Sequence, residues 1–416
     1  MAGITKTDDL KRTLVMLLAG GQGERLYPLT RDRAKPAVPF GGIYRIIDFT
    51  LSNCVNSGLR KINVLTQYKS FSLQRHLQFG WSICRPELDE YINVIPPQQR
   101  NTSHWYLGTA DAICQNIYTL EREKPANVLV VSGDHVYKMN YRNMLQFHLD
   151  KKADLTIACV AVPVERVAKQ LGVAVADSDG RIVEFQEKPE SPEEMPDNPG
   201  RCFCSMGVYV FDTETLVREV IADAKTDSSH DFGKDIIPAM VERDRVFAYE
   251  FVGSGGEPEP YWRDIGTIDA YWESNYDLVQ VLPVFNLYDK EWPIHTYHPQ
   301  SPPAKTVFNE QPSGRRGRAV NSLVSSGCII SGGYVGESIL SPDVRVHSGA
   351  DIRQCVVMDQ VEIGRGARLR RAIIDKRVKI PDGAVIGYDP QRDRARFTVS
   401  ERGIVVVPGG ALLERS

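Results

Sequence analysis

A glycine-rich segment near the start of the chain has the residue types of an anion-binding loop. Gly20, Gly21 and Gly23 directly follow a short apolar run, which is the pattern of a buried strand that enters a loop. Because glycine has no side chain, backbone N–H groups there can approach phosphate oxygens closely, and Arg25 and Lys35 add positive charge nearby. The segment therefore indicates a nucleotide phosphate site, with an ordinary tight turn as the alternative.

Two common phosphate-binding motifs do not match this loop. A Walker A loop ends in Gly-Lys followed by Ser or Thr, and no such ending follows these glycines. A dinucleotide-binding loop has a third glycine three residues after Gly23, where this chain has Leu26. The sequence thus argues against a P-loop ATPase and weakens the case for a dehydrogenase.

Two aspartates in distant segments have the chemistry of magnesium ligands. Asp134 follows the apolar run at 128–131, and Asp264 lies in the segment Y-W-R-D-I-G-T. Mg²⁺ is commonly bound by a few carboxylates together with substrate phosphates and water. We therefore predict that both aspartates converge beside the glycine loop, although each could instead serve in a turn or as a helix cap.

Two further segments could bind a sugar or a base. Glu187 and Lys188 follow a predicted hairpin strand and could contact sugar hydroxyls and a phosphate, but such pairs are also common on surfaces. The segment W-Y-L-G-T-A-D at 105–111 combines aromatic side chains, a glycine and a predicted helix start. The alternative for this second segment is a capped helix with an aromatic staple.

An α/β sheet is predicted to position these segments. Short β-branched runs at 61–66, 128–132, 155–162 and 208–211 alternate with longer mixed segments, which is typical of strands joined by crossover helices. Ligand loops in such sheets lie at the carboxyl ends of the strands. The glycine loop and the Asp134 segment both follow apolar strands, so we expect them at one edge of the sheet.

Length and composition indicate a globular protein of two or three domains. The chain has 416 residues, a formal net charge of −3, 42% hydrophobic and 25% charged residues. This charge provides no general attraction to nucleic acid, and no apolar run approaches the roughly 18 residues of a membrane span. The eight cysteines form neither a C-x-x-C pair nor a zinc-spaced cluster, so we expect a cytoplasmic protein.

The C-terminal part contains a repeat of 17 residues, after a proline-rich connector at 281–318. Three apolar columns and one glycine column recur: Ile329, Val346, Ile363 and Ile380; Val335, Ile352, Leu369 and Ile386; Leu340, Val357 and Ile374; and Gly332, Gly349, Gly366 and Gly383. Each repeat has the length of one coil of a parallel β-helix with three short strands, and an antiparallel meander is the alternative. Such a domain usually supports assembly or regulation.

In this order, the motifs closely resemble those of the bacterial ADP-glucose pyrophosphorylases, also called glucose-1-phosphate adenylyltransferases. The resemblance runs nearly end to end. The matching segments are L-A-G-G-Q-G-E-R-L at 18–26, R-A-K-P-A-V at 33–38, I-I-D-F-T-L-S-N at 46–53, W-Y-L-G-T-A-D-A at 105–112, G-D-H-V-Y-K at 133–138, E-K-P at 187–189, S-M-G-V-Y-V-F at 205–211, H-D-F-G-K-D at 230–235 and Y-W-R-D-I-G-T at 261–267.

The resemblance implies a Rossmann-like α/β nucleotidyltransferase domain at 1–280, the connector at 281–318 and a left-handed parallel β-helix domain at 319–416. It also implies a homotetramer that uses Mg²⁺ and responds to a phosphorylated sugar effector. The implied reaction is attack of the phosphate of glucose 1-phosphate on the α-phosphate of ATP. It yields ADP-glucose and pyrophosphate, the committed step of bacterial glycogen synthesis.

The same resemblance implies roles for individual residues. Those implied in catalysis are Arg25, Lys35, Asp134 and Asp264, of which the two aspartates also bind the metal. Those implied in nucleotide binding are Gly20, Gly21, Gly23, Gln99 and Gly108. Those implied in binding glucose 1-phosphate are Tyr106, Gly172, Glu187, Lys188 and Ser205. Those implied in binding effector or inhibitor anions, at a junction between the two domains, are Arg33, Arg45 and Arg122.

Three positions depart from the best-known regulatory pattern of the family. Asp32 stands where a basic residue helps to bind fructose 1,6-bisphosphate, Pro39 where some AMP-sensitive relatives have histidine, and Val399 where arginine is common. Because an acidic side chain at position 32 repels a bisphosphate, we expect a sugar monophosphate as the activator.

Three other functions remain open from the sequence. A sister nucleotidyltransferase that uses UTP, dTTP or GTP would share most of the phosphate-binding residues. A catalytically silent regulatory subunit would share the fold, although the charged residues of the site are all present. A bifunctional enzyme with an acyl-transferring β-helix is the third, but only about four coils and no clear acyl-acceptor site are evident in the repeat.

Overall fold

The N-terminal part of the chain is an α/β structure. The computed structural model describes residues 7–21, 23–98, 105–167, 170–253, 260–310 and 314–413. The strands of this part are β1 (Thr13–Ala19), β2 (Pro39–Phe40), β3 (Tyr44–Arg45), β4 (Lys61–Thr66), β5 (Tyr91–Ile95), β6 (Asn127–Ser132), β7 (His135–Tyr137), β8 (Leu155–Pro163), β9 (Val173–Ala176), β10 (Ile182–Gln186), β11 (Arg201–Asp212), β12 (Val246–Glu250) and β13 (Trp262–Asp264). Its helices are α1 (Thr7–Lys11), α2 (Ile46–Asn56), α3 (Phe71–Gly80), α4 (Thr109–Cys114), α5 (Ile117–Glu123), α6 (Tyr141–Lys151), α7 (Thr213–Asp223), α8 (Ile237–Val241) and α9 (Ile268–Asp277).

Nine of these strands form one mixed sheet in the order β10-β9-β11-β6-β1-β4-β5, and β8 joins β11 to β12. Strand β1 lies between β4 and β6 and is parallel to both, so the carboxyl ends of the three strands meet at one edge. Their side chains are mostly buried and apolar, as expected for strands that are covered on both faces. This is the edge at which the ligand loops are predicted.

Three of the four predicted strands match β4, β6 and β8 within one residue, whereas the fourth is incomplete. The run at 208–211 covers only the second part of β11, which begins at Arg201. Strand β11 shifts register between Ser205 and Tyr209, and Gly207 has a φ of +66°. This irregularity interrupts the regular side-chain alternation, so the sequence pattern revealed only the part that follows it.

The C-terminal part is a parallel β-helix with three strands in a coil. Its elements are β14 (Lys305–Val307), β15 (Arg318–Val320), β16 (Leu323–Val324), β17 (Ile329–Ser331), β18 (Tyr334–Gly336), β19 (Ile339–Leu340), β20 (Arg345–Val346), β21 (Asp351–Arg353), β22 (Val356–Val357), β23 (Glu362–Ile363), β24 (Arg368–Arg370), β25 (Ala372–Ile374), β26 (Lys379–Ile380), β27 (Val385–Ile386), α10 (Pro390–Arg396), β28 (Thr398–Val399) and β29 (Val405–Val407). They form three sheets, β14-β17-β20-β23-β26, β15-β18-β21-β24-β27 and β16-β19-β22-β25-β29-β28. This excludes the antiparallel meander.

The structure confirms two of the apolar columns and corrects the third. The columns that begin at Val335 and Leu340 stack in register from coil to coil. In the remaining column, Ile330 rather than Ile329 pairs with Val346, because the coil that joins them has 16 residues. The recurring glycines have φ of +73°, +75°, +64° and +71°, so each turn uses a left-handed residue.

The parallel stack starts earlier than the predicted boundary at residue 319. Strand β14 lies within the predicted connector and pairs in parallel with β17. Its side chains are exposed or half-buried, so it adds no apolar residue to the columns that reveal the repeat.

The β-helix packs against the N-terminal part through a shared apolar cluster. Ile268, Tyr271 and Trp272 of α9 lie in one buried cluster with Val356 and Ile373 of the β-helix. The Trp272 indole N–H donates to a β-helix carbonyl, with the nitrogen and oxygen 2.9 Å apart. Among the described helices, none is long and apolar enough to cross a membrane.

Candidate active site

The carboxyl edge of the sheet opens into a cavity of about 880 Å³. Gly20 and Gly21 follow β1, Gln67 follows β4 and Asp134 follows β6, and all four line this cavity. Loops that are distant in sequence meet here because β1, β4 and β6 are parallel neighbours. The expected meeting of the glycine loop and the Asp134 segment is therefore present.

Pairing of two short strands brings the second aspartate to the first. Strand β13 is antiparallel to β7, and Asp264 pairs directly with His135. The Lys35 ammonium bridges the two carboxylates, with its Nζ 2.7 Å from Asp134 Oδ2 and 3.0 Å from Asp264 Oδ1. Three residues predicted to act in catalysis thus form one connected group.

The charges in this group stabilise one another. Burial lowers the pKa of Lys35, but the charges of Asp134 and Asp264 outweigh it, so the pKa is raised overall. Burial raises the pKa of Asp134, but Lys35 and His135 outweigh this effect and the pKa is lowered overall. The Ser132 hydroxyl also donates to the Asp134 carboxylate. Both groups are therefore charged at neutral pH.

The donor set fits a divalent cation. One ligand atom each from Asp134, His135 and Asp264 lies within 4.8 Å of the others. A positive group already sits between the two carboxylates, since Lys35 contacts both. The buried His135 Nδ1 has no hydrogen-bond partner among the described atoms. Carboxylate oxygens are the ligands that Mg²⁺ prefers, so Asp134 and Asp264 suit this ion.

The glycine loop divides into a cavity wall and a turn. Gly20 and Gly21 line the cavity, whereas Gly23 lies outside its lining and has a φ of +66°. A Cβ on Gly23 would lie 2.9 Å from the Thr30 side chain, so space as well as conformation requires glycine there. Arg25 follows that turn, is exposed and lines the cavity.

The opposite wall depends on a close approach of two backbones. An ideal Cβ on Gly108 would lie 2.1 Å from the carbonyl oxygen of His230. That same carbonyl accepts a hydrogen bond from the Ala110 N–H, with the two atoms 2.8 Å apart. Tyr106 lines the cavity, and its hydroxyl accepts a hydrogen bond from the buried Asn116 side chain. Gln99 lies outside the described residues.

The predicted sugar-phosphate residues line one side of the same cavity. They are Gly172, Glu187, Lys188 and Ser205. The Glu187 carboxylate fits between two glycines, since a Cβ on Gly172 or Gly233 would lie 3.0 Å or 2.6 Å from its Oε2. The Lys188 ammonium lies 3.1 Å from Glu187 Oε1 and is half exposed, so it can contact a ligand.

The cavity lining includes further residues that were not predicted as site residues, among them Gln67, His135, Asp231 and Trp262. His135 and Asp231 lie in the G-D-H and H-D-F-G-K-D motifs, so the motifs carried a signal for them. The Trp262 ring packs against His135 with centroids 5.2 Å apart. Gln67 follows β4, and its position after the third parallel strand was the available signal.

A second cavity of about 700 Å³ lies between the N-terminal part and the β-helix, and Arg33 and Arg45 line it. Arg33 is buried and holds Asp375 through two hydrogen bonds of 2.9 and 3.0 Å. Arg122 is not part of this cavity in the chain; it lies exposed on α5 and pairs with Glu123. The structure therefore does not bring the three predicted effector arginines together.

The three positions that depart from the family's regulatory pattern do not all lie in this cavity either. Asp32 and Pro39 line the second cavity, whereas Val399 lies in β28 outside its lining. The Asp32 carboxylate pairs with Arg31, with nitrogen and oxygen 2.8 Å apart. Lys376 lines the same cavity, and burial together with the nearby Arg45 charge lowers its pKa. Basic residues nevertheless outnumber acidic ones in the lining, which contains Arg31, Arg33, Arg45, Arg75, Lys376 and Arg377 together with Asp32, Asp343 and Asp359.

A glycine loop and paired carboxylates at the carboxyl edge of an α/β sheet suit a nucleotidyltransferase. A family model described as nucleotidyl transferase matches residues 14–281, and a GlmU-like C-terminal hexapeptide model matches residues 302–407. The chain is 52% identical over 398 residues to a glucose-1-phosphate adenylyltransferase of Koribacter versatilis, with 95% of each chain covered. It is 52% identical to that of Rhodopirellula baltica, with 97% of this chain and 91% of the relative covered. The corresponding protein of Methylococcus capsulatus is 51% identical, with 97% and 95% covered. The chain belongs to the glucose-1-phosphate adenylyltransferase family.

Proposed function

We propose that this protein transfers an adenylyl group from ATP to α-D-glucose 1-phosphate and releases pyrophosphate. The observation that carries this proposal is the bridge from Lys35 to Asp134 and Asp264 in a cavity that also contains the glycine loop and Glu187. Both substrates are anions, so the reaction mainly requires that they be aligned and that their repulsion be cancelled. The relatives' shared name supports ATP and glucose 1-phosphate as the pair.

Each wall of the cavity has a separate task in this reaction. Backbone N–H groups at Gly20 and Gly21 bind the triphosphate, and Arg25 neutralises its charge. Lys188 holds the phosphate of the sugar, and Glu187 accepts hydrogen bonds from glucose hydroxyls. The two reacting phosphates therefore meet beside the carboxylate pair.

Asp134 and Asp264 would hold Mg²⁺, which supplies positive charge to the reacting phosphate oxygens when it is bound. Lys35 adds positive charge in the same part of the cavity. The nucleophile is a phosphate oxygen, and a phosphate monoester with a second pKa of about 6 is already ionised at neutral pH. The reaction therefore needs no general base, and charge stabilisation of the transition state is the main contribution.

Pyrophosphate release tests this function against the sister nucleotidyltransferases. Purified protein is supplied with Mg²⁺, glucose 1-phosphate and one of ATP, UTP, dTTP or GTP, with and without fructose 6-phosphate. Dominant turnover with ATP supports the proposal. Turnover confined to another nucleotide would assign the chain to a sister activity, and silence with all four would favour a regulatory subunit.

We further propose that residues 1–280 form the catalytic domain and that the β-helix, whose stack begins with β14, forms the assembly domain of a cytoplasmic homotetramer. The second cavity is proposed to bind a sugar monophosphate activator beside Arg33 and Arg45. Asp32 supports a monophosphate, since it pairs with Arg31 and so leaves less positive charge for a second phosphate group. Stronger activation by fructose 1,6-bisphosphate than by fructose 6-phosphate would refute the choice of effector, and the oligomer is tested by light scattering.

A further inference from the structure

The Lys35 side chain spans the two places where a phosphate and a metal are expected. Its backbone lies in a short turn, Lys35–Ala37, beneath the glycine loop, because a Cβ on Gly23 would lie 3.1 Å from the Lys35 Cβ. Its ammonium reaches the far carboxylates and is almost fully enclosed, since the whole residue is 8% exposed. A lysine has four rotatable side-chain bonds, so the same ammonium can turn from the carboxylates to a phosphate in the loop.

Lys35 uses the oxygens that a metal would need. Its Nζ lies 2.7 Å from Asp134 Oδ2 and 3.0 Å from Asp264 Oδ1, and these oxygens face each other across the ammonium. A divalent cation bound between the two carboxylates would meet this positive charge at close range, where repulsion in a partly buried site is strong. The lysine and the metal are therefore alternative partners of one carboxylate pair.

We propose that Lys35 is an exchangeable counterion, which occupies the Asp134–Asp264 pair until a divalent cation replaces it and then moves to the nucleotide phosphates. This inference rests on the proposed function, because the phosphates that receive the ammonium are those of the nucleotide substrate. The exchange also predicts that the metal binds weakly in the absence of nucleotide. Arrival of the triphosphate stabilises the displaced ammonium and so favours the metal, which couples the two ligands.

The charges of the group agree with such an exchange. The Lys35 ammonium forms ion pairs with both carboxylates, with nitrogen–oxygen distances of 2.7 and 3.0 Å. A charged ammonium competes with a metal for the carboxylates, whereas a neutral amine would not. Lys188 provides a contrast in the same cavity, because its ammonium contacts Glu187 and is half exposed.

Direct metal binding tests the exchange without turnover. Free Mn²⁺ is titrated by electron paramagnetic resonance against the full chain in the absence of nucleotide. We expect weak binding to the wild type and binding at least about tenfold tighter to Lys35→Met and Lys35→Gln, which is within the usual range of coupling between sites. Lys35→Arg, which keeps the charge, should bind as weakly as the wild type. Asp134→Asn should abolish the tight binding in a Lys35→Met background.

Lys188→Met is the matched control, since it removes the same charge from the same cavity without touching the carboxylate pair. An equal increase in Mn²⁺ affinity in Lys35→Met and Lys188→Met would show that the metal responds only to the overall charge of the cavity. The proposal would then fail. Unchanged or weaker Mn²⁺ binding in Lys35→Met would overturn it directly. These titrations are independent of the pyrophosphate assay, so failure of one does not imply failure of the other.

A measurement on the unmodified chain covers the case in which the lysine variants do not fold. An amine-specific acylating reagent is applied with and without saturating Mg²⁺ in the absence of nucleotide, and Lys35 labelling is measured by mass spectrometry. Displacement from the carboxylates predicts labelling at least about threefold faster with Mg²⁺, with Lys188 as the internal reference. A ratio of Lys35 to Lys188 labelling that stays the same or falls when Mg²⁺ is added would contradict the exchange.

Discussion

The two cavities of this chain each contain a buried basic residue paired with carboxylates from distant segments, but the pairs differ in kind. In the active-site cavity, one ammonium is shared between Asp134 and Asp264, whose side chains are 27% and 26% exposed. In the second cavity, the Arg33 guanidinium holds Asp375 through two parallel hydrogen bonds, and the side chains are 10% and 4% exposed. One pair is open to ligands and the other is closed.

The difference follows from the chemistry of the two cations. An ammonium is a compact charge on a flexible stem and can change partners, whereas the planar guanidinium matches a carboxylate in one fixed geometry. Arg33 also joins the N-terminal part to the β-helix, because Asp375 follows β25. We infer that Lys35 serves the reaction directly and that Arg33 shapes the effector cavity by holding its two walls together.

Breaking the closed pair should have the largest effect on stability. Asp375→Ala leaves the Arg33 charge buried without its partner and should cost about 3 to 5 kcal/mol of unfolding free energy. Urea unfolding measures the loss. The exposed pair of Arg31 and Asp32 is the control, since Asp32→Ala should cost less than about 1 kcal/mol. Equal losses in the two variants would remove the distinction between a closed and an exposed pair.

A double replacement tests whether the unpaired Arg33 charge causes the loss of stability in Asp375→Ala. Arg33→Met combined with Asp375→Leu removes both charges and keeps apolar volume, so it should recover a large part of the stability lost in Asp375→Ala. If the double variant is as unstable as Asp375→Ala, the hydrogen bonds that Asp375 accepts from the N–H groups of Lys376 and Gly409 matter more than the ion pair.

Breaking the open pair should instead affect turnover. Asp134→Asn removes a charge next to the reacting phosphates and should cost on the order of 3 kcal/mol of transition-state stabilisation. We expect a large fall in kcat with little change in the KM for glucose 1-phosphate, measured by pyrophosphate release. Glu165→Gln, a change of the same charge on the surface, is the control. Near-normal kcat in Asp134→Asn would remove the metal assignment.

The sequence predicted the residues around the open pair better than those around the closed pair. Asp134 and the glycine loop follow apolar strands, so a general rule about α/β sheets places them at one edge. Asp264 needed the pairing of β13 with β7, which no local pattern shows, and only its motif pointed to it. The partner of Arg33 lies in another sheet of the chain, so its role at the junction could not be predicted from R-A-K-P.

The fold shows the same difference between features with a local sequence pattern and features without one. The β-helix was predictable because its buried columns repeat at a nearly constant period, and the one coil of 16 residues produced the single shifted column. Strand β14 was missed because its side chains are exposed or half-buried and provide no period. Local regularity is visible in a sequence, whereas contacts between distant segments become visible only in the structure.

A change at Gly108, in the opposite wall of the active-site cavity, should have an effect of intermediate size. Gly108→Ala would place a methyl group 2.1 Å from the His230 carbonyl, so the two backbones must separate. Overpacking of this kind costs about 1 to 3 kcal/mol, and the KM values for both substrates should rise together, because this contact joins the W-Y-L-G and H-D-F-G segments. Initial rates over a grid of both substrates test this. A rise for one substrate alone would show that the walls act separately.

The smallest effect is expected at Arg122, which the family resemblance groups with Arg33 and Arg45 but which lies outside the second cavity. Its guanidinium is exposed and pairs with the neighbouring Glu123, an arrangement that adds little to stability. If the second cavity alone binds the effector, Arg122→Ala should leave the half-maximal activator concentration unchanged, whereas Arg45→Ala should raise it severalfold. Activation curves with fructose 6-phosphate compare the two variants. A matching shift in Arg122→Ala would mean that another copy of the chain brings Arg122 to the effector. The second cavity would then be completed only by assembly.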